Sequence, residues 1–98
     1  MPLETFPFDA ADYLDSPEMI EAFLEEAFES DDPAYIAHAF GVVARAKGMS
    51  QLAKETGLTR QTLYKALSAG GNPEFATVLK VANALGFRLT AARLANSA

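Results

Sequence analysis

Met-Ser-Gln-Leu-Ala-Lys-Glu-Thr-Gly-Leu-Thr-Arg-Gln-Thr-Leu-Tyr-Lys-Ala-Leu-Ser, residues 49–68, reads as two short helices joined by a tight turn. Ser50 is positioned to cap the first helix, because its hydroxyl can accept from the free amides one turn on. Gly57 stops that helix, since a glycine just past a helix end turns left-handed without a Cβ penalty. Thr59, two residues later, can cap the next helix. Between the caps, Ala53, Leu58, Leu63 and Ala66 fall where the two helices and the turn must touch. Ala53 permits close approach of the backbones, and Leu58 and Leu63 fill the angle between them.

An alanine, a glycine four residues on, a leucine directly after it and another five later is the spacing of a helix-turn-helix. The stretch resembles the Cro and phage-repressor type of unit, with one departure. Such proteins often carry a glutamine four residues before the alanine, whereas Gln51 stands two before Ala53. An αα-hairpin that merely packs is the plainer alternative. The resemblance implies that 59–68 is the helix that enters the major groove, with Arg60, Gln61, Tyr64, Lys65 and Ser68 pointing away from the Leu63 and Leu67 face. Gln61 can pair with adenine through two hydrogen bonds, Arg60 with guanine or a phosphate, and the Thr62 methyl can touch thymine. Tyr64 and Lys65 suit phosphates, which position a protein without reading sequence. Ser50, Gln51 and Thr59 complete the expected DNA-binding set.

Working outward, 98 residues that are 50% hydrophobic fit one compact domain. There is no cysteine, hence no disulfide, thiol nucleophile or Cys-based zinc site, which suits a cytoplasmic location. The opening Met-Pro-Leu-Glu-Thr-Phe has neither a basic region nor an apolar run, so no secretory leader is expected. No apolar segment approaches the roughly eighteen residues of a membrane span.

The net charge of −5 is unevenly spread. Residues 1–40 hold eleven acidic residues and no lysine or arginine, whereas 41–98 hold eight basic residues and two acidic ones, Glu55 and Glu74. The halves therefore carry −11 and +6. Such a chain suits two partners of opposite charge, although acidic helix faces also arise for solubility alone.

Other elements follow from local signals. Phe6 and Phe8 would dock an N-terminal arm, and Asp9 to Leu14 would form one helical turn. Ser16-Pro17 is a cap followed by proline at the first helical position. Ile20, Phe23, Leu24, Ala27 and Phe28 then repeat at helical spacing, with Glu18, Glu21, Glu25, Glu26 and Glu29 mostly outside the stripe. Asp32-Pro33 starts a helix to about Lys47, with Ile36, Phe40 and Val43 on one face. Gly41 within it predicts a close crossing by another helix, which offsets a cost of up to about 1 kcal/mol. His38, the one histidine, reads as a surface or core-edge residue. Gly70-Gly71-Asn72-Pro73 predicts a loop ending in a cap-plus-proline start, and Phe75, Val78, Leu79, Ala82 and Leu85 predict an amphipathic helix stopped at Gly86. The alternation in Phe87-Arg88-Leu89-Thr90-Ala91 predicts a short strand, which would need a partner: the arm, or the same strand of a second subunit.

The run Phe8 to Leu14, the lead-in Gly48-Met49-Ser50-Gln51, Leu63 to Leu67 and Gly71 to Thr77 together resemble the small addiction module antidote family of bacterial antitoxins, HigA-like in type. The resemblance covers about residues 4–90. It implies an antitoxin that silences a small partner toxin of RelE/ParE type and, as a homodimer, represses the operon encoding both. Toxins of that kind that cut RNA are basic, which gives Glu18, Glu21, Glu25, Glu26 and Glu29 a toxin surface to cover. The expected architecture is all-α: a lambda-repressor-like helix-turn-helix domain of about five helices, with an acidic N-terminal helical extension and a short C-terminal strand. Residues 1–31 form the acidic arm and helix, and 32–98 the domain that binds double-stranded operator DNA, packed as one compact unit. A stand-alone helix-turn-helix regulator without a toxin is the alternative. An enzyme is the poorer reading: there is no glycine-rich phosphate loop or metal-ligand cluster, and the acidic residues lie along a helix instead of converging. Neither cofactor nor metal is expected.

Overall fold

The structure, a computed structural model, describes residues 14–68 and 70–94. The expectations for Phe6, Phe8 and the helical turn from Asp9 lie outside the described residues, apart from Leu14, which is buried and non-helical. Among these described residues five α-helices follow in order: α1 (Pro17–Glu29), α2 (Pro33–Lys47), α3 (Met49–Thr56), α4 (Arg60–Ala66) and α5 (Phe75–Ala84). Among the described residues the fold is all-α, with no strand.

Two of the helix starts are made as their sequences predict. Ser16 Oγ accepts from the Met19 N–H at 3.2 Å and Asp32 Oδ1 from the Ala34 N–H at 3.0 Å, each with proline at the first helical position. The corner between α1 and α2 turns on Asp31 at φ 55, in the small left-handed region that short polar residues tolerate best after glycine.

α2 is the centre of the molecule. Its Ala37, Ala39, Phe40, Gly41, Val42, Val43 and Ala44 are all buried, far more than the single face expected. It is surrounded because α1, α3 and α5 all pack against it, and small side chains let them come close. Leu24 and Ala27 of α1, Leu52 of α3, Leu63 of α4 and Val81 and Ala82 of α5 complete one continuous core. The largest fully buried side chains are Leu52, Leu63, Val43 and Val81, each contributing about 1.5–3 kcal/mol by leaving water. Among the described residues no polar or charged side chain is buried.

Several local expectations are corrected. α3 begins at Met49, one residue before the expected cap, so Ser50 lies inside it. Gly48, at φ 111 and ψ 117, both ends α2 and starts α3, and the Leu52 N–H donates to its carbonyl as the first helical bond at 3.0 Å. α5 likewise starts after Glu74, not after Asn72, because Asn72 and Pro73 are used in the loop. Phe75 is 70% exposed, and Val81, outside the predicted stripe, is buried instead. Phe28 is also 41% exposed, with its ring set edge-on to Phe40 at a centroid distance of 6.0 Å.

Gly86 does stop α5. The Phe87 N–H reaches Ala82 O at 2.9 Å and the Gly86 N–H reaches Asn83 O at 3.0 Å, with Gly86 at φ 93, a Schellman closure. The strand expected from Phe87 to Ala91 is absent. Among the described residues no second strand lies beside it to share its hydrogen bonds; Phe87 and Leu89 pack against the core while Arg88 and Thr90 are exposed. The alternation in sequence records that edge packing.

Candidate nucleic-acid interface and acidic face

The turn between α3 and α4 is built as the sequence predicts, with one bond it did not reveal. Gly57 takes φ 77 and ψ 8, and its N–H donates to Ala53 O at 2.9 Å. Thr56 adds a staple: its hydroxyl donates to Leu52 O at 2.8 Å and accepts from the Leu58 N–H at 3.2 Å. Backbone groups that the turn would leave open are thereby satisfied. Thr59 caps α4 by accepting from the Thr62 N–H at 3.0 Å, and its own hydroxyl donates to Thr62 Oγ1 at 2.8 Å. Leu63 is fully buried and Leu67 nearly so, with Ala53, Leu58 and Ala66 packed against them as partly buried neighbours.

This packing turns the remaining side chains outward. Ser50, Gln51, Thr59, Arg60, Gln61, Thr62, Tyr64, Lys65 and Ser68 are all exposed. Arg60, Gln61, Tyr64 and Lys65 therefore share the outer side of α4, while Ser50 and Gln51 sit at the start of α3. Lys54 on α3 is exposed too and extends the basic character of this surface. Ser68 Oγ is partly engaged, donating to Lys65 O at 3.1 Å.

Gln51 is less free than its sequence position suggests. Its Nε2 donates to Glu55 Oε2 at 2.8 Å, and Lys47 Nζ lies 3.4 Å from Glu55 Oε1. The Gln51 hydrogen bond holds the Glu55 carboxyl below the usual carboxylate range; partial desolvation opposes it and the Lys47 charge assists it. One amide N–H of Gln51 remains for another acceptor.

The second candidate surface is the outer side of α1. Glu18, Glu21, Glu25, Glu26 and Glu29 are all exposed. Glu21, Glu25 and Glu29 form an i, i+4 row, and like charges at that spacing cost about 0.2–0.5 kcal/mol per pair. The last turn contains no basic residue to complement the helix dipole. Only Glu18, in the first turn, helps the helix electrostatically. Met19 and Phe28 interrupt the acidic surface as exposed apolar side chains, and Tyr35 of α2 is exposed to a similar degree. The alternation of stripe and charge revealed the glutamates, but not these three, because exposure of an apolar residue depends on what packs beside it. His38 is exposed, and among the described residues no group of carboxylates, histidines or cysteines could hold a metal ion. Among those residues, too, no helix is long and apolar enough to cross a membrane.

Among the described residues, five helices centred on α2, with the outward side of α4 carrying Arg60 and Lys65 behind a glycine turn and the outer side of α1 acidic, define a small helical protein with two charged surfaces. Residues 4–93 match the family described as "Probable addiction module antidote protein", and the chain belongs to that family. It is also similar to an uncharacterized protein of Haemophilus influenzae strain Rd, 48% identical over 81 residues, which covers 83% of this chain and 84% of the relative. No solved structure matches the chain significantly.

Proposed function

We propose that the protein is the antitoxin of a type II toxin-antitoxin module, acting in the cytoplasm as a non-enzymatic repressor of its own operon. In this reading α3, the turn and α4 are a helix-turn-helix of the lambda-repressor or Cro kind. A homodimer sets two copies of α4 in successive major-groove half-sites about one helical turn apart. The observation that carries the proposal is the division of α4 itself: Leu63 and Leu67 are buried while Arg60, Gln61, Thr62, Tyr64 and Lys65 face outward. Gln61 and Arg60 supply base-edge chemistry, and Tyr64, Lys65, Ser50 and the second amide N–H of Gln51 supply donors to phosphates. Thr59 and Ser68 frame the helix ends.

The second function is neutralisation of a small basic toxin of RelE/ParE type by Glu18, Glu21, Glu25, Glu26 and Glu29. Family membership supports a toxin partner. A surface whose like charges cost the isolated helix stability is understandable if a basic partner covers it, since complementary charge speeds and directs association.

Two measurements test the two arms. Salt-dependent binding to the operator should exceed binding to scrambled duplex, and Gln61→Ala should cost about 1–3 kcal/mol and relax preference at one base pair. Equal wild-type affinity for both duplexes would defeat the DNA arm. The toxin arm predicts co-purification with the basic product of the neighbouring reading frame, and fails if removing residues 1–30 leaves neutralisation intact.

A further inference from the structure

α4 is only seven residues long, and a helix of that length does not hold itself in place in water. Leu63 and Leu67 anchor one side of it in the core, which fixes its rotation about its own axis. Its tilt depends on what meets its last turn. Backbone meets it on two sides. A Cβ added to Gly41 of α2 would collide with the carbonyl oxygen of Leu67. A Cβ added to Gly71, in the loop after α4, would stand 2.5 Å from Ala66 O and 2.6 Å from Lys65 O. The close crossing predicted for Gly41 is thus made by the end of α4. Gly41 and Gly71 are not among the positive-φ glycines, which are Gly48, Gly57 and Gly86. What both positions require is the absence of a side chain, the use of glycine that permits close backbone approach.

We infer that Gly41 and Gly71 form a two-sided seat for the C-terminal end of α4 and are positioning residues for duplex recognition. They set the tilt at which Arg60, Gln61, Tyr64 and Lys65 are presented. This inference rests on the reading of α4 as the helix that enters the groove. A two-bond pairing with a base edge requires donor–acceptor distances near 3 Å at good angles, so a displaced helix end disturbs base contacts first. Contacts of flexible lysine and arginine side chains to phosphates absorb the same displacement. Base discrimination is therefore the property the seat protects.

Gly70 supplies a control in the same loop, because an added Cβ there meets no heavy atom within 4 Å. The full-length variants Gly71→Ala, Gly41→Ala and Gly70→Ala would be compared with wild type by backbone amide NMR without DNA, and by affinity for operator and scrambled duplex. In Gly71→Ala the amide signals of residues 60–68 should move more than in Gly70→Ala. Operator affinity should fall by about ten-fold while affinity for scrambled duplex stays within about two-fold. Gly41→Ala, whose clash lies in the core, should show the same pattern with lower thermal stability, and if it does not fold, Gly71→Ala decides. The inference is overturned if folded Gly71→Ala leaves both the α4 signals and the operator preference at the Gly70→Ala level. If wild type shows no operator preference, the DNA reading fails. The seat is then judged by the amide signals alone, upheld if they move in Gly71→Ala and not in Gly70→Ala, overturned if they do not.

Discussion

Replacing Gly57 by alanine isolates the backbone cost of the turn that joins α3 to α4. At φ 77 and ψ 8 the residue is left-handed, and an added methyl meets no heavy atom within 4 Å. No clash therefore contributes, and its N–H bond to Ala53 O, 2.9 Å long, is available to any residue except proline. Holding an L-residue in this conformation costs about 1–2 kcal/mol. Restricting the unfolded chain by the same substitution returns about 0.4–1 kcal/mol. The net loss is about 1 kcal/mol. With a urea slope near 1 kcal/mol/M for a small domain, the midpoint should fall by about 1 M, and Tm by about 4–8 °C. Gly57→Asn should lose less, because asparagine tolerates the left-handed region better. Urea titrations of the three proteins followed by far-UV circular dichroism give the comparison. An unchanged midpoint for Gly57→Ala would refute a left-handed turn. A loss above about 3 kcal/mol would refute the open space around it and place a neighbour against the new methyl.

Two further substitutions contrast periodicity with packing on α5. Phe75→Ala should change stability by less than about 0.5 kcal/mol, because the ring is 70% exposed, whereas a buried phenylalanine would cost about 3–5 kcal/mol. Val81→Ala, at a fully buried position, should cost about 2 kcal/mol by the same denaturation measurement. Glu55 gives a dependence on pH. Its carboxyl is held below the usual range in the folded protein by Gln51 and Lys47, so its contribution is present above the ordinary carboxylate value and is lost as pH falls through the folded-state value. Glu55→Gln should flatten the acid limb of the stability profile; an unchanged profile would show that the contact does not persist in solution.

How much could be read from sequence follows the range over which each signal acts. Ser16, Asp32 and Thr59 cap their helices by accepting from amides two or three residues ahead, and Gly57 and Gly86 turn left-handed because the chain reverses beside them. Those features, the four apolar contacts inside 49–68 and the outward set from Arg60 to Lys65 depend on residues close in the chain, and they stand as read. The acidic face of α1 is equally local, since five glutamates fall outside one apolar stripe.

Tertiary structure decided the rest. Phe75 fits the helical period of α5 but lies where no neighbour covers it, and Val81 is buried because α2 and α3 pack on that side instead. The apolar alternation after Gly86 pairs with no strand among the described residues, and Phe87 and Leu89 serve as packing at the edge of the core. Gly48 displaced Ser50 as the start of α3 because one residue had to end α2 and begin the next helix. The place of Gly41 against the carbonyl of Leu67, just past α4, brings together residues 26 positions apart in the chain. Sequence determined where this chain starts, stops and turns, because caps and glycines act over a single helical turn; which faces are covered and how α4 is held depend on helices meeting across the core, a matter of three-dimensional packing that no local pattern contains.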